Sequence, residues 1–166
     1  MISDTKVVAI GGGTGLSTML KGLKLHTHNI TAVVTVADDG GSSGILRSDL
    51  GMLAPGDVRN CVSALAEVDP VMGELLNFRF KDGSLKGHSL GNPFLAALNE
   101  TSSSFDEAVK KFSHLTGVVG TVYPVTNESV TLSALLEDGR LIEGESHIGV
   151  HHDGPKNGIV KLMVNP

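Results

Sequence analysis

Apolar residues follow two rhythms along this chain, one of strands and one of helices. Val7 to Ile10 form an unbroken, mostly β-branched run behind Lys6, the pattern of a central parallel strand. Leu16, Met19, Leu20 and Leu23 then recur at helical spacing, which predicts a helix with Thr14 or Ser17 as its cap. A second apolar run, Ile30 to Ala37, completes a strand–helix–strand unit. Further on, Val58, Cys61, Val62 and Leu65 share one helical face behind Asp57 as cap, and Asp69 with Pro70 at the first helical position starts another helix. The stretch "SLGNPFLAALNE" predicts a helix with Pro93 in its first turn, and Ser104 with Glu107 has capping-box spacing ahead of a helix to Phe112. The last third changes rhythm. "GVVGTVYPV" reads as a strand, and "SVTLSALLEDGRLIEGESHI" as two strands turning at Asp138 and Gly139. The expectation is one α/β domain over residues 1–166 with an antiparallel appendage.

Composition narrows the function. A chain of 166 residues that is 40% hydrophobic and 19% charged can bury a core of its own. It holds no apolar run near the roughly 18 residues that span a bilayer. "MISDTK" lacks the basic start and apolar core of a secretory signal, and Cys61 has no second cysteine to bond with, so a cytoplasmic location is expected. A net charge of −5 without a basic cluster argues against nucleic acid as partner.

Between the first strand and the first helix lies "AIGGGTGLSTML". Glycines there remove Cβ atoms where backbone N–H groups and the positive end of a helix would approach an anion, so phosphate is the natural guest. The spacing fits neither the dinucleotide fingerprint, since Leu16 stands where a glycine is needed, nor the P-loop; a plain tight turn is the alternative. Asp38 and Asp39 follow the second strand, at the edge where open α/β sheets bind ligands, and "GGSSG" after them adds the hydroxyls of Ser42 and Ser43. "PGDVRNC" offers Asp57, Arg59 and Asn60 at a helix start, with Arg59 suited to forked pairing with phosphate or carboxylate; "GHSLGN" offers His88, Ser89 and Asn92 at another. Four such loops in a short chain predict one shared crevice.

Other patterns carry less. "HIGVHHD" (His147, His151, His152, Asp153) could suggest metal binding, but the neighbouring pair His151 and His152 cannot sit on one face, and Gly154-Pro155 marks a loop. Gly87, Ser89 and Gly91 match the nucleophile-elbow pattern of hydrolases literally but follow a polar stretch rather than a strand. Cys61 reads as a small core residue.

The stretches "GGGTGLSTMLKGLK", "VTVADDGGSSGILRSDLGMLAPGDVRN", "GHSLGN" and "LEDGRLIEGES", in this order and spacing, resemble the CofD-like superfamily and, within it, the gluconeogenesis-factor or YvcK-type branch. The resemblance covers nearly the whole chain. It implies a Rossmann-like parallel sheet with helices on both faces plus a β-hairpin appendage. It also implies a cytoplasmic regulator, without catalytic residues, that binds UDP-sugars such as UDP-N-acetylglucosamine and UDP-glucose and supports growth and cell shape on gluconeogenic carbon sources. The superfamily's founding member is instead a 2-phospho-L-lactate transferase, so metal-dependent transfer of a phospholactyl-type group is the alternative. Against it stands an aromatic share of only 4%, without tryptophan, for stacking a deazaflavin. By resemblance, Gly12, Gly13, Thr14 and Gly15 lie near phosphate, Asp38, Asp39, Ser42 and Ser43 form the acidic loop, and Asp57, Arg59, Asn60, His88, Ser89 and Asn92 line the rest of the crevice. Asp38 and Asp39 would take sugar hydroxyls or a Mg²⁺ ion on the phosphates. Pro93 after Asn92 departs from the family pattern, where leucine is expected. Members of the family run to about twice this length, so the resemblance implies an N-terminal half, completed by a C-terminal half or by another copy in a homo-oligomer, and weak affinity for the fragment alone.

Overall fold

Two sheets of opposite character divide the chain. The structure, a computed structural model, describes residues 3–150 and 158–166. Strand β1 (Val7–Gly11), helix α1 (Gly13–Leu23) and strand β2 (Ile30–Val34) form the expected unit, and β3 (Thr121–Pro124) joins it to give a parallel sheet in the order β1-β2-β3. Ala9 pairs with Ala32, and Ala32 with Val122, so every second residue of the three strands falls on the same face. That face carries Ala9, Ile30, Ala32, Val34 and Val122, all buried against α1, α3 (Gly56–Leu65) and α6 (Phe105–Leu115). Leu20, Leu65, Leu95 and Phe112 are fully buried in this core, each stabilising the fold by about 1.5–3 kcal/mol relative to exposure. Val8 and Ile10 of β1, on the opposite face, are 64% and 76% exposed.

Local signals explain the starts of two helices, and proline placement fits a third. The Asp69 carboxylate accepts the Val71 amide at 2.9 Å to open α4 (Pro70–Asn77). Ser104 Oγ accepts from the Glu107 amide at 3.2 Å to open α6, while the Glu107 carboxylate reaches back to the Ser103 amide at 2.8 Å. Helix α5 (Gly91–Glu100) holds Pro93 in its first turn, where no intrahelical donor is needed.

Three expectations are corrected. Neither Thr14 nor Ser17 caps α1: Gly12 occupies the cap position, and the Ser17 hydroxyl turns to the Thr14 carbonyl at 3.1 Å. Asp57 lies inside the first turn of α3, behind Pro55 at the cap position. Strand β2 ends at Val34, and a helix, α2 (Gly41–Leu50), grows directly out of the loop that follows.

The second sheet is antiparallel, in the order β5-β4-β6, from β4 (Thr131–Leu136), β5 (Leu141–Glu143) and β6 (Ile159–Asn165). The hairpin turns as expected at Asp138 and Gly139, Gly139 having φ +83°. After Glu143 the chain does not continue as a strand; it bends at Gly144 into a short helix, α7 (Glu145–Val150). The fold is thus the α/β type expected, a parallel sheet with helices beside it and an antiparallel hairpin sheet, but among the described residues the helices cover one face of the parallel sheet, not both as the resemblance implied.

Candidate functional site

The glycine loop stands at the carboxyl edge of the parallel sheet. Gly13 has φ +65°, a left-handed conformation that a residue with Cβ adopts only under strain. A Cβ on Gly12 would lie 2.2 Å from Thr35 Cγ2 and 2.6 Å from Asp57 Oδ2. These two positions therefore require glycine for different reasons, one for its dihedral and one for its neighbours. Gly12 has no side chain to cap α1; the Asp57 carboxylate from α3 approaches the Gly13 amide instead, and the loop beyond it is exposed at Thr14 and Gly15.

Beside the loop is a crevice of about 400 Å³, lined by Gly12, Gly13, Thr35, Ala37, Asp38, Asp57, Leu132 and Glu145. Asp38 Oδ1 accepts the Gly40 amide at 3.0 Å. The Asp57 carboxylate accepts the Gly13 amide; burial and the charge of Asp38 together push its pKa above the usual carboxylate range. Burial likewise raises Glu145, helped by Asp38, Asp39 and Asp57. Glu145 and Thr35 were not singled out in the sequence. Glu145 follows a strand far along the chain, and only folding of the appendage brings it to the glycines.

The two aspartates after β2 part company. Asp38 faces the crevice. Asp39 faces the appendage, where its Oδ1 accepts the Ser146 amide at 2.8 Å, and it borders a second hollow with Arg47 and Thr131. Burial alone would raise its pKa, but hydrogen bonds from Ser146 outweigh that and hold it below the usual value.

A third group of candidates forms a closed polar knot beneath the helix starts. Ser42 Oγ lies 2.8 Å from His88 Nδ1 and accepts from Asn92 Nδ2 at 2.9 Å. Arg59 donates from Nε to Asn92 Oδ1 at 3.2 Å and from Nη1 to Asn77 Oδ1 at 2.9 Å. Ser43 Oγ accepts the Gly56 amide at 3.2 Å. Ser42, Ser43, Arg59, His88 and Asn92 are all buried. With neutral amides as its bonded partners, the Arg59 guanidinium is lowered to about 10 by burial and by Arg79, against the pull of Asp57. Ser89 is also buried, its hydroxyl without a hydrogen-bond partner, and Asn60 is half-buried on α3. The structure thus brings Gly12, Gly13, Asp38 and Asp57 together at the crevice, and Ser42, Arg59, His88 and Asn92 together beneath it.

Among the described residues no three of His, Cys, Asp or Glu gather into a metal site, and no helix is long and apolar enough to cross a membrane. His147 places Nδ1 2.8 Å from the Glu143 carbonyl oxygen; His151, His152 and Asp153 lie outside the described residues. Cys61 is buried, its thiol pushed up to about 12 by burial and Asp57, in keeping with a core role.

Fold and crevice define an α/β protein with a glycine loop at the carboxyl edge of a parallel sheet. The family model described as 2-phospho-L-lactate transferase CofD matches residues 7–166, and the chain belongs to this family. A Thermoanaerobacterium thermosulfurigenes relative is 58% identical over 165 residues, 99% of this chain and 51% of its own length. The protein named gluconeogenesis factor in Bacillus subtilis is 51% identical over 144 residues, covering 86% of this chain and 45% of that protein. A crystal structure of a Bacillus halodurans protein superposes with a TM-score of 0.90 at 44% identity, covering 98% of this chain and 51% of that one. The chain spans about half the length of these relatives.

Proposed function

We propose that this chain forms a binding site for a nucleotide sugar, UDP-N-acetylglucosamine or UDP-glucose, in a cytoplasmic regulator of growth and cell shape on gluconeogenic carbon sources. The observation that carries the reading is the glycine loop at the start of α1, exposed at Thr14 and Gly15, opening on a crevice that also holds carboxylates. Amides at a helix start take phosphate oxygens, and carboxylates accept bonds from sugar or ribose hydroxyls. The name gluconeogenesis factor borne by relatives supports the regulatory role.

Magnesium fits this arrangement in one way. Asp38 with Asp57 would hold it, because Mg²⁺ takes one or two carboxylates plus phosphate oxygens, and its charge would offset repulsion between the carboxylates and a diphosphate. Asp39, whose Oδ1 accepts the Ser146 amide, faces the appendage and is left out of this pair. The family description is compatible with a second reading, a CofD-like transferase of a phosphorus-containing group, which would show turnover with a metal and an acceptor.

Calorimetric titration with UDP-N-acetylglucosamine, with and without Mg²⁺, tests the proposal on this chain and on a full-length relative. Saturable binding is expected, weaker for this chain than for the longer relative, and reduced at least about tenfold by Asp38→Asn and by Gly15→Ala, whose Cβ meets no protein atom within 4 Å and would enter the phosphate approach. No binding by either protein removes the reading and puts the transferase assay next.

A further inference from the structure

We infer that Asp39 is a positioning residue: it latches α7 to the α/β layer and thereby seats Glu145 across the crevice from the glycine loop, where Glu145 receives the hydroxyls of the sugar. The inference rests on the nucleotide-sugar reading and adds to it the residue that would read the sugar. Three observations carry it.

The latch is built by close approach. Asp39 Oδ1 accepts from the Ser146 amide, and buried Gly144 lies against the other oxygen, where a Cβ would come within 2.4 Å of Asp39 Oδ2. Gly144 also has φ +94°, so both its dihedral and this contact demand glycine immediately before Glu145. The appendage, in addition, is not part of the main apolar core. The buried cluster runs from Ala9 to Val122, with Val130 at its margin, and α7 packs on β4 and β5. Polar bonds hold the two layers together: Asp39 to Ser146, and Arg47 Nη2 to the Val130 carbonyl at 2.6 Å and Thr131 Oγ1 at 3.1 Å.

The third observation is electrostatic. Glu145 is held on the crevice although Asp38, Asp39 and Asp57 all disfavour its charge. Repulsion alone would turn an exposed glutamate outward, and the latch keeps it in place. A carboxylate is an acceptor without donors, so it would repel a diphosphate and accept from sugar hydroxyls.

UDP-N-acetylglucosamine and UDP are the probes, with wild type, Glu145→Gln, Asp39→Ala, Asp39→Asn and the double variant Asp39→Ala/Glu145→Gln. Glu145→Gln and Asp39→Ala should each weaken UDP-N-acetylglucosamine about tenfold and leave UDP within about twofold. Asp39→Asn keeps an oxygen acceptor for Ser146 and should recover most of the loss, and the double variant should be no weaker than Glu145→Gln alone. Equal losses for UDP and UDP-N-acetylglucosamine, failure of asparagine to rescue, or additive losses in the double variant would overturn the positioning role. Binding of neither probe by the wild type would remove the nucleotide-sugar reading and the role of Glu145 with it. Hydrogen exchange without ligand then judges the latch by itself: Asp39→Ala should speed exchange at Ser146 and Ile148 at least tenfold over wild type, and unchanged protection there would refute it.

Discussion

At the scale of single residues, buried polar groups carry more than their position in the sequence suggests. Arg59 looks like a phosphate ligand by type, yet two of its nitrogens are bonded to Asn92 and Asn77, and Asn92 also donates to Ser42. Truncating Asn92 strands a buried guanidinium N–H and removes a bond to Ser42, so Asn92→Ala should lower unfolding free energy by about 3 kcal/mol in urea titrations. Asn60→Ala, at a half-buried position on the same helix as Arg59, should stay within about 1 kcal/mol. Similar losses for both would mean the knot is not special. Asp38 and Asp39 make the same point from the other side. As neighbours of one type they are equivalent in the sequence, and they serve the crevice and the appendage respectively only because the loop turns between them.

Helix starts with a short local signature were legible, and those without one were not. Asp69-Pro70 and Ser104 with Glu107 contain their capping chemistry within four residues, and the structure realises both. Helix α2 contains Gly41 and Gly44 and has only a weak apolar stripe, so its stretch reads as loop; burial of Ser42 and Ser43 under the neighbouring helices makes it helical. The α6 cap also titrates. Bonds from the Ser103 hydroxyl and amide, and then Lys111, hold Glu107 down at about 2. A carboxyl lowered in the folded state contributes stability that is complete above its unfolded value of about 4.5 and is lost as pH falls toward 2. Glu107→Gln should therefore flatten the pH dependence of stability across that window, measured by thermal unfolding at each pH; an unchanged slope would show that the cap does not titrate as described.

At the scale of the molecule, one face of the parallel sheet is packed and the other is open. Val8, Ile10 and Tyr123 form part of the open face, on which a parallel sheet ordinarily carries a covering layer. Ile10→Lys should leave the unfolding free energy within about 0.5 kcal/mol, because that side chain contributes little to the core, while lowering the binding of an apolar dye. A loss of several kcal/mol would mean that the face is covered in solution.

The sequence by itself determined the glycine loop between the first strand and helix, the caps of α4 and α6 and the hairpin turn, because each depends on residues close together in the chain, and the α/β class and the family, because the order and spacing of such local motifs are written along it. Tertiary structure alone decided which aspartate faces the crevice, that Arg59, His88 and Asn92 close into a buried knot, and that Glu145 arrives opposite the glycines. Those outcomes depend on which loops meet after the sheet has assembled, and a side chain's direction there is set by packing and hydrogen bonding across distant segments.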